Sequence, residues 1–202
     1  MDLAGWRRRV GECYAEVRRA APVDPGAAVA RFRTERDELF RSHPQSALAP
    51  SERETFRGLR YYPHDPAWRV EALVTHEVEP ATVQVALGSD GTFHYTRIGM
   101  ATFRLAGETH RLMLYWIEGY GGGLFLPFRD ATSGKTTFAG GRYLYDTIKG
   151  ADLGGDGDRL NLDFNYAYNP SCAYNARWVC PLAPDENVLG VAVQAGEKTY
   201  SE

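Results

Sequence analysis

Apolar positions recur every three or four residues up to about residue 59 and every second residue over much of the remainder, so the chain changes period once. In "AGWRRRVGECYAEVRRA", Trp6, Val10, Cys13, Tyr14 and Val17 fall on one helical face. After the break at "APVDPG", Val29, Phe32, Arg36, Leu39 and Phe40 fall on one side of a second helix that a proline ends. Ser51, with Glu54 in the capping-box position, predicts the start of a third, short helix ending near Gly58. From Trp68 the segments "WRVEALVTH", "ATVQVAL", "TFHYTRIG", "MATFRLAG" and "HRLMLYWIE" alternate and are rich in β-branched and aromatic residues, which predicts strands. Ser89-Asp90-Gly91 and Ala106-Gly107-Glu108 supply hairpin turns. Leu112, Leu114 and Trp116 alternate with Arg111, Met113 and Tyr115, so this strand is expected to be covered on both faces. "RDATSGKTTF" reads as strand, turn and strand, "RLNLDFN" as a strand, and "VLGVAVQAG" as the last strand. The predicted fold is mainly β (α+β): an antiparallel barrel-like or sandwich-like meander, with N-terminal helices packed at one side or end. Residues 1–59 form the helical segment and 60–202 the β domain, with a long ordered loop at 165–187.

That loop, "NYAYNPSCAYNARWVCPLAPDEN", follows neither period. Asn165, Asn169 and Asn175 bond their own backbone readily, prolines 170, 181 and 184 stiffen it, and Tyr166, Tyr168, Tyr174 and Trp178 give apolar faces with polar tips. A rigid lid or plug is the expectation.

Composition narrows the function classes. A net charge of -3 and a pI near 6.0 argue against nucleic acid or an anionic membrane as partner. The arginines of Trp6-Arg7-Arg8-Arg9 are followed by Glu12 and Glu16, which offset them. No apolar run is long enough to span a bilayer, and the N-terminus carries charges where a signal peptide needs its apolar core, so the expected location is cytoplasmic. The three cysteines are then expected as thiols.

Four segments, "RFRTERDELFRSHPQSAL", "FRGLRYYPHDP", "EGYGGGLFLPFRDATSGKTTFAGGRYL" and "LDFNYAYNPSCAYNARWVCPLAPDEN", resemble an uncharacterised bacterial family, domain of unknown function 1684. The resemblance runs from about Arg31 to Gly196 and implies no activity. It places emphasis on Arg36, Phe128, Asp130, Gly134, Tyr143, Asp163, Asn165, Asn169, Cys172, Asn175, Cys180 and Asn187.

Four groups of residues bear chemistry. Gly121-Gly122-Gly123 permits close backbone approach to an anion, but no nucleotide-loop motif is present. Arg129 and Arg142 are expected on neighbouring strands, where they either grip a carboxylate or phosphate or pair with Asp130 or Asp163. Asp163 is either a scaffold carboxylate or a general base. Cys172 and Cys180 are separated by seven residues, unlike a zinc knuckle, so no metal set is specified; a buried thiol, a disulfide and a Cys–His nucleophile remain open. The leading reading is a binding site for a small polar or anionic molecule at the barrel mouth. Its walls would be Arg129, Asp130, Arg142, Tyr143, Asn165, Asn169 and Asn175, and no cofactor is indicated. The alternatives are hydrolase- or cyclase-like acid/base chemistry there, with Asp163 or Cys172 catalytic, and an interaction module whose loop aromatics form an exposed patch.

Overall fold

Helix α1 (Asp2–Ala20) buries Tyr14 and Val17 from its apolar stripe, and helix α2 (Pro25–Ser42) buries Ala28, Val29, Phe32, Leu39 and Phe40. Pro25 opens α2 and the Asp24 carboxylate accepts the Ala27 N–H at 3.0 Å, which fixes the turn between the two helices. Helix α3 (Pro50–Thr55) starts two residues earlier than Ser51 predicts. Pro50 takes the first helical position, and Glu52 reaches back to the Ala49 N–H at 2.7 Å in place of Glu54. The computed structural model describes residues 1–86 and 91–200.

The strands are β1 (Arg69–Thr75), β2 (Thr82–Ala86), β3 (Thr92–Leu105), β4 (Glu108–Ile117), β5 (Gly123–Phe128), β6 (Arg142–Asp146), β7 (Gly155–Asp156) and β8 (Arg159–Asp163). They pair antiparallel in the order β6-β5-β4-β3-β1-β8-β7, with β2 also on β3. The two predicted strands around Gly99 are one long strand with a bulge between Arg97 and Gly99. The turn predicted at Ser89-Asp90-Gly91 involves residues 89 and 90, which lie outside the described residues.

Ala106 and Gly107 have φ of 51° and 85°, as a two-residue hairpin of the primed type requires, so Ala106 carries a Cβ where L-residues are disfavoured. Ala106→Asn should therefore raise stability by about 0.5–1 kcal/mol, read as a higher denaturation midpoint; no change or a drop would contradict this account of the turn.

The sheet curls into a half-barrel. Its edges are bridged rather than ladder-paired: Tyr143 and Tyr168 exchange backbone bonds of 2.9 and 3.1 Å, and the Tyr145 hydroxyl donates to the carbonyls of Gly154 and Asn161 at 2.8 Å each. One face carries the main core, in which Leu112, Leu114, Phe128 and Leu162 meet Tyr14, Val17, Val29 and Phe32 of the helices. The helices and sheet thus share one interior. The other face carries Tyr95, Tyr115, Ile117, Phe125 and Tyr143. Trp116 departs from the expected two-sided cover: it is 43% exposed, lying against the turn at Gly122.

Two predicted elements are corrected. "RDATSGKTTF" is a compact loop, because the Asp130 carboxylate accepts from the N–H (2.8 Å) and hydroxyl (2.6 Å) of Thr132 and turns the chain back. "VLGVAVQAG" is not a strand. Leu189, Val193 and Ala195 are buried as alternation predicts, but the carbonyls of Val193 and Ala195 bend inward to Arg142 rather than to a neighbouring strand.

Candidate functional site

Arg142 is fully buried at the start of β6. One Nη donates to Asp130 Oδ2 at 2.8 Å and to the Val193 carbonyl at 3.0 Å; the other donates to the carbonyls of Ala195 and, at 3.2 Å, Glu197. Burial pulls its pKa down, and Asp130 opposes that. Arg129, one residue past the paired Phe128, turns outward to Asp185 at 2.6 Å. The two guanidiniums therefore form no clamp, because each is already engaged by a different carboxylate. Within Gly121-Gly122-Gly123 the last two have a packing reason: a Cβ at Gly122, where φ is 40°, would strike the Trp116 ring, and one at Gly123 would lie 2.6 Å from Ile148 Cγ1.

The asparagines do stitch the loop, each to a different place. Asp163 Oδ1 accepts from the N–H (3.0 Å) and side-chain amide (2.9 Å) of Asn165, and Asn165 in turn exchanges two bonds with the backbone of Asp65. Burial pushes the Asp163 carboxyl up, against those bonds. Asp163 and Tyr166 also line a second hollow, beside α1, with Arg69. Asn175 closes a local turn onto the Arg177 N–H at 3.0 Å. Asn187 inserts its amide between strands, pairing with both backbone groups of Met113 (2.7 and 2.9 Å) and the Pro127 carbonyl (2.7 Å). Tyr166 and Tyr174 are 1% and 7% exposed, so the loop aromatics form no exposed patch.

The loop meets two parts of the molecule: residues 181–186 lie over the sheet's other face, where the Tyr143 and Tyr95 hydroxyls donate to the carbonyls of Pro181 and Leu182, and residues 177–178 meet the segment between α2 and α3. Trp178 Nε1 donates to the Ala47 carbonyl (3.2 Å), and Arg177 to that of Ser46 (3.3 Å). Between this loop, α1 and the end of α2 lies a cavity of about 130 Å³. Tyr143 and Asn169 of the predicted residues line it; Arg129, Asp130, Arg142, Asp163, Asn165, Cys172 and Asn175 do not. Its floor is Arg36, held between the rings of Phe40 and Tyr168 at 4.9 Å from each and paired at 3.3 Å with the buried carboxylate of Glu197. Glu197 also accepts from the Tyr174 hydroxyl (2.7 Å) and the Asn169 N–H (2.6 Å). Arg7 and Lys149 stand at the rim. Burial costs the Lys149 ammonium, but Asp146 at 3.1 Å outweighs it and the pKa goes up.

Two wall atoms have no partner. The Tyr14 hydroxyl is buried and unbonded, and burial pushes its pKa up, so it stays a hydroxyl. Asn169 gives its amide N–H to the Lys198 carbonyl at 2.8 Å, which fixes the orientation and leaves its Oδ1 unbonded. Sequence reading missed Arg7, Tyr14, Lys149 and Glu197. Arg7 sits in a run that reads as solvated, and Tyr14 in an apolar stripe where only its polar tip is a signal. Among the described residues no group of three or more His, Cys, Asp and Glu is placed to hold a metal, and no helix is long and apolar enough to cross a membrane.

The half-barrel with helices against one face is a fold shared with a solved protein. A solution NMR structure of an uncharacterized protein of Haloarcula marismortui is 40% identical, with a TM-score of 0.64, over 89% of this chain and 96% of that one. The family model described as "Protein of unknown function (DUF1684)" matches residues 54–198, and the chain belongs to that family. No curated protein matches it.

Proposed function

We propose that the protein binds a small anionic molecule in the cavity between α1, α2 and the 165–187 loop. The observation that carries this reading is the pair of unpartnered buried wall atoms, Tyr14 hydroxyl and Asn169 Oδ1, beneath a rim bearing Arg7 and Lys149. Buried polar groups are bonded almost everywhere in folded proteins, so two orphans on one cavity point to a ligand that supplies their partners. A cavity of about 130 Å³ suits a body near the size of a benzene ring. The chemistry is therefore a small carboxylic acid or phosphate ester: an anionic head at Arg7 and Lys149, a compact body against Tyr143 and Tyr168, and a group that donates to Asn169.

The test is Tyr14→Phe, which deletes only the orphan hydroxyl. The ligand-free variant should be more stable than wild type by about 1–3 kcal/mol, since no bond is lost and a desolvated hydroxyl is removed. Calorimetry across a panel of small carboxylates and phosphate esters should find a ligand whose affinity falls in Tyr14→Phe and in Arg7→Ala. A destabilised Tyr14→Phe, or a cavity ligand bound equally by all three proteins, would overturn the proposal.

A further inference from the structure

Cys172 and Cys180 flank the stretch of loop that carries Tyr174 and Trp178 into the cavity wall. Both are partly buried free thiols. The Cys172 N–H donates to Cys180 Sγ at 3.3 Å, which sets that sulfur beside the backbone of residue 172 and within reach of its side chain. The Cys172 side chain, the Ser171 N–H and the positive charge of Lys149 all favour the charged form of the Cys180 sulfur. Donors and a cation gathered on one sulfur stabilise a thiolate there.

The pair is asymmetric. The Cys172 side chain, working against burial and helped by the two N–H groups and Lys149, brings the Cys180 thiol down to about 6. Cys180 in turn, together with burial, pushes Cys172 up. Cys13, on α1, is raised by burial and by Glu35, against the lowering effect of Arg9 and Arg36.

We propose that Cys172 and Cys180 form a hydroperoxide-reactive redox couple, with Cys180 the attacking thiol and Cys172 the resolving one. The Cys180 thiolate attacks the terminal peroxide oxygen. The O–O bond breaks, Cys180 becomes a sulfenic acid, and the leaving oxygen takes a proton and departs as water or an alcohol. Cys172 then attacks the Cys180 sulfur: its proton goes to the departing hydroxyl, water leaves, and a disulfide remains. The dithiol loses two electrons and the peroxide gains two. A low-mass thiol returns the pair to the dithiol through a mixed disulfide. The inference needs no ligand in the cavity.

The experiment treats the reduced full-length chain with hydrogen peroxide at pH 6, quenches with iodoacetamide and maps peptides by mass spectrometry. Wild type should lose two hydrogens and link residue 172 to 180. C172S should stop at a dimedone-trappable sulfenic acid on Cys180, and C180S should leave Cys172 reduced. Separately, the wild-type Cys180 alkylation rate at pH 6 should exceed that of an ordinary cysteine peptide by roughly tenfold: its far larger thiolate fraction outweighs its lower intrinsic nucleophilicity. Melts followed by circular dichroism check both variants, and the wild-type alkylation and disulfide mapping decide the matter if either variant misfolds. Absence of a 172–180 disulfide, oxidation of Cys172 in C180S at the wild-type rate, or an alkylation rate no faster than the peptide's would overturn the proposal.

Discussion

Arg142→Ala is expected to cost at least 3–5 kcal/mol, roughly the loss that follows removal of one partner from a buried ion pair, and to leave the chain largely unfolded at 37 °C. The charge left behind is Asp130, 5% exposed, but the carboxylate is only part of the damage. The carbonyls of Val193, Ala195 and Glu197 also lose their donor. An isolated buried ion pair often tolerates replacement by apolar residues of similar volume. Here Arg142→Met with Asp130→Leu should not recover stability, because three main-chain acceptors stay desolvated and unmatched, each costing about 1–3 kcal/mol, and the Thr132 and Val193 donors to Asp130 lose their acceptor. Arg142→Lys should recover part of the loss at most, since an ammonium cannot reproduce the planar fork. Guanidinium denaturation of the four proteins measures this; a double variant within about 1 kcal/mol of wild type would show that the carbonyl cage contributes little.

Glu197→Ala should be the next most severe change, again about 3–5 kcal/mol for a buried charge partner removed. It strands Arg36, whose side chain is 12% exposed, together with the Tyr174 hydroxyl and the Asn169 N–H. Glu197→Gln keeps the shape and one acceptor but gives Arg36 a neutral partner, so it should fall between. A double-mutant cycle with Arg36→Met measures the coupling between the two residues and should return a strongly favourable interaction. If Glu197→Ala and Arg36→Met are additive, the pair does not hold the cavity floor.

Much of the architecture could be read from periodicity. The stripe Val10, Tyr14, Val17 and the alternation through β1, β3 and β4 each reflect burial by an adjacent element, and a single sequence records that directly. Where a side chain from far along the chain competes for the backbone, the record fails. Residues 188–196 alternate like a strand, yet the carbonyls of Val193 and Ala195 turn to a guanidinium contributed by β6. The start of α3 was misplaced for a smaller reason of the same kind: Pro50 and Glu52 suit the first turn better than the Ser51–Glu54 pair. The cavity was the least legible feature, since Arg7, Tyr14, Lys149 and Asn169 come from three separate stretches and each has an ordinary reading alone. The polar loop did announce itself, through asparagines that bond backbone groups elsewhere in the molecule.

Arg142 meets its carbonyl partners 51, 53 and 55 residues later in the chain. On the ribosome, the described helices and strands, with Asp130 among the residues between them, are therefore made before the three carbonyls that complete the cage around this guanidinium. A nascent sheet that closed early would bury the Arg142–Asp130 pair beside Phe128 with three of its carbonyl acceptors missing. One arginine thereby ties completion of the sheet edge to residues 193–197, and a chain cut short before them should be exposed to proteolysis.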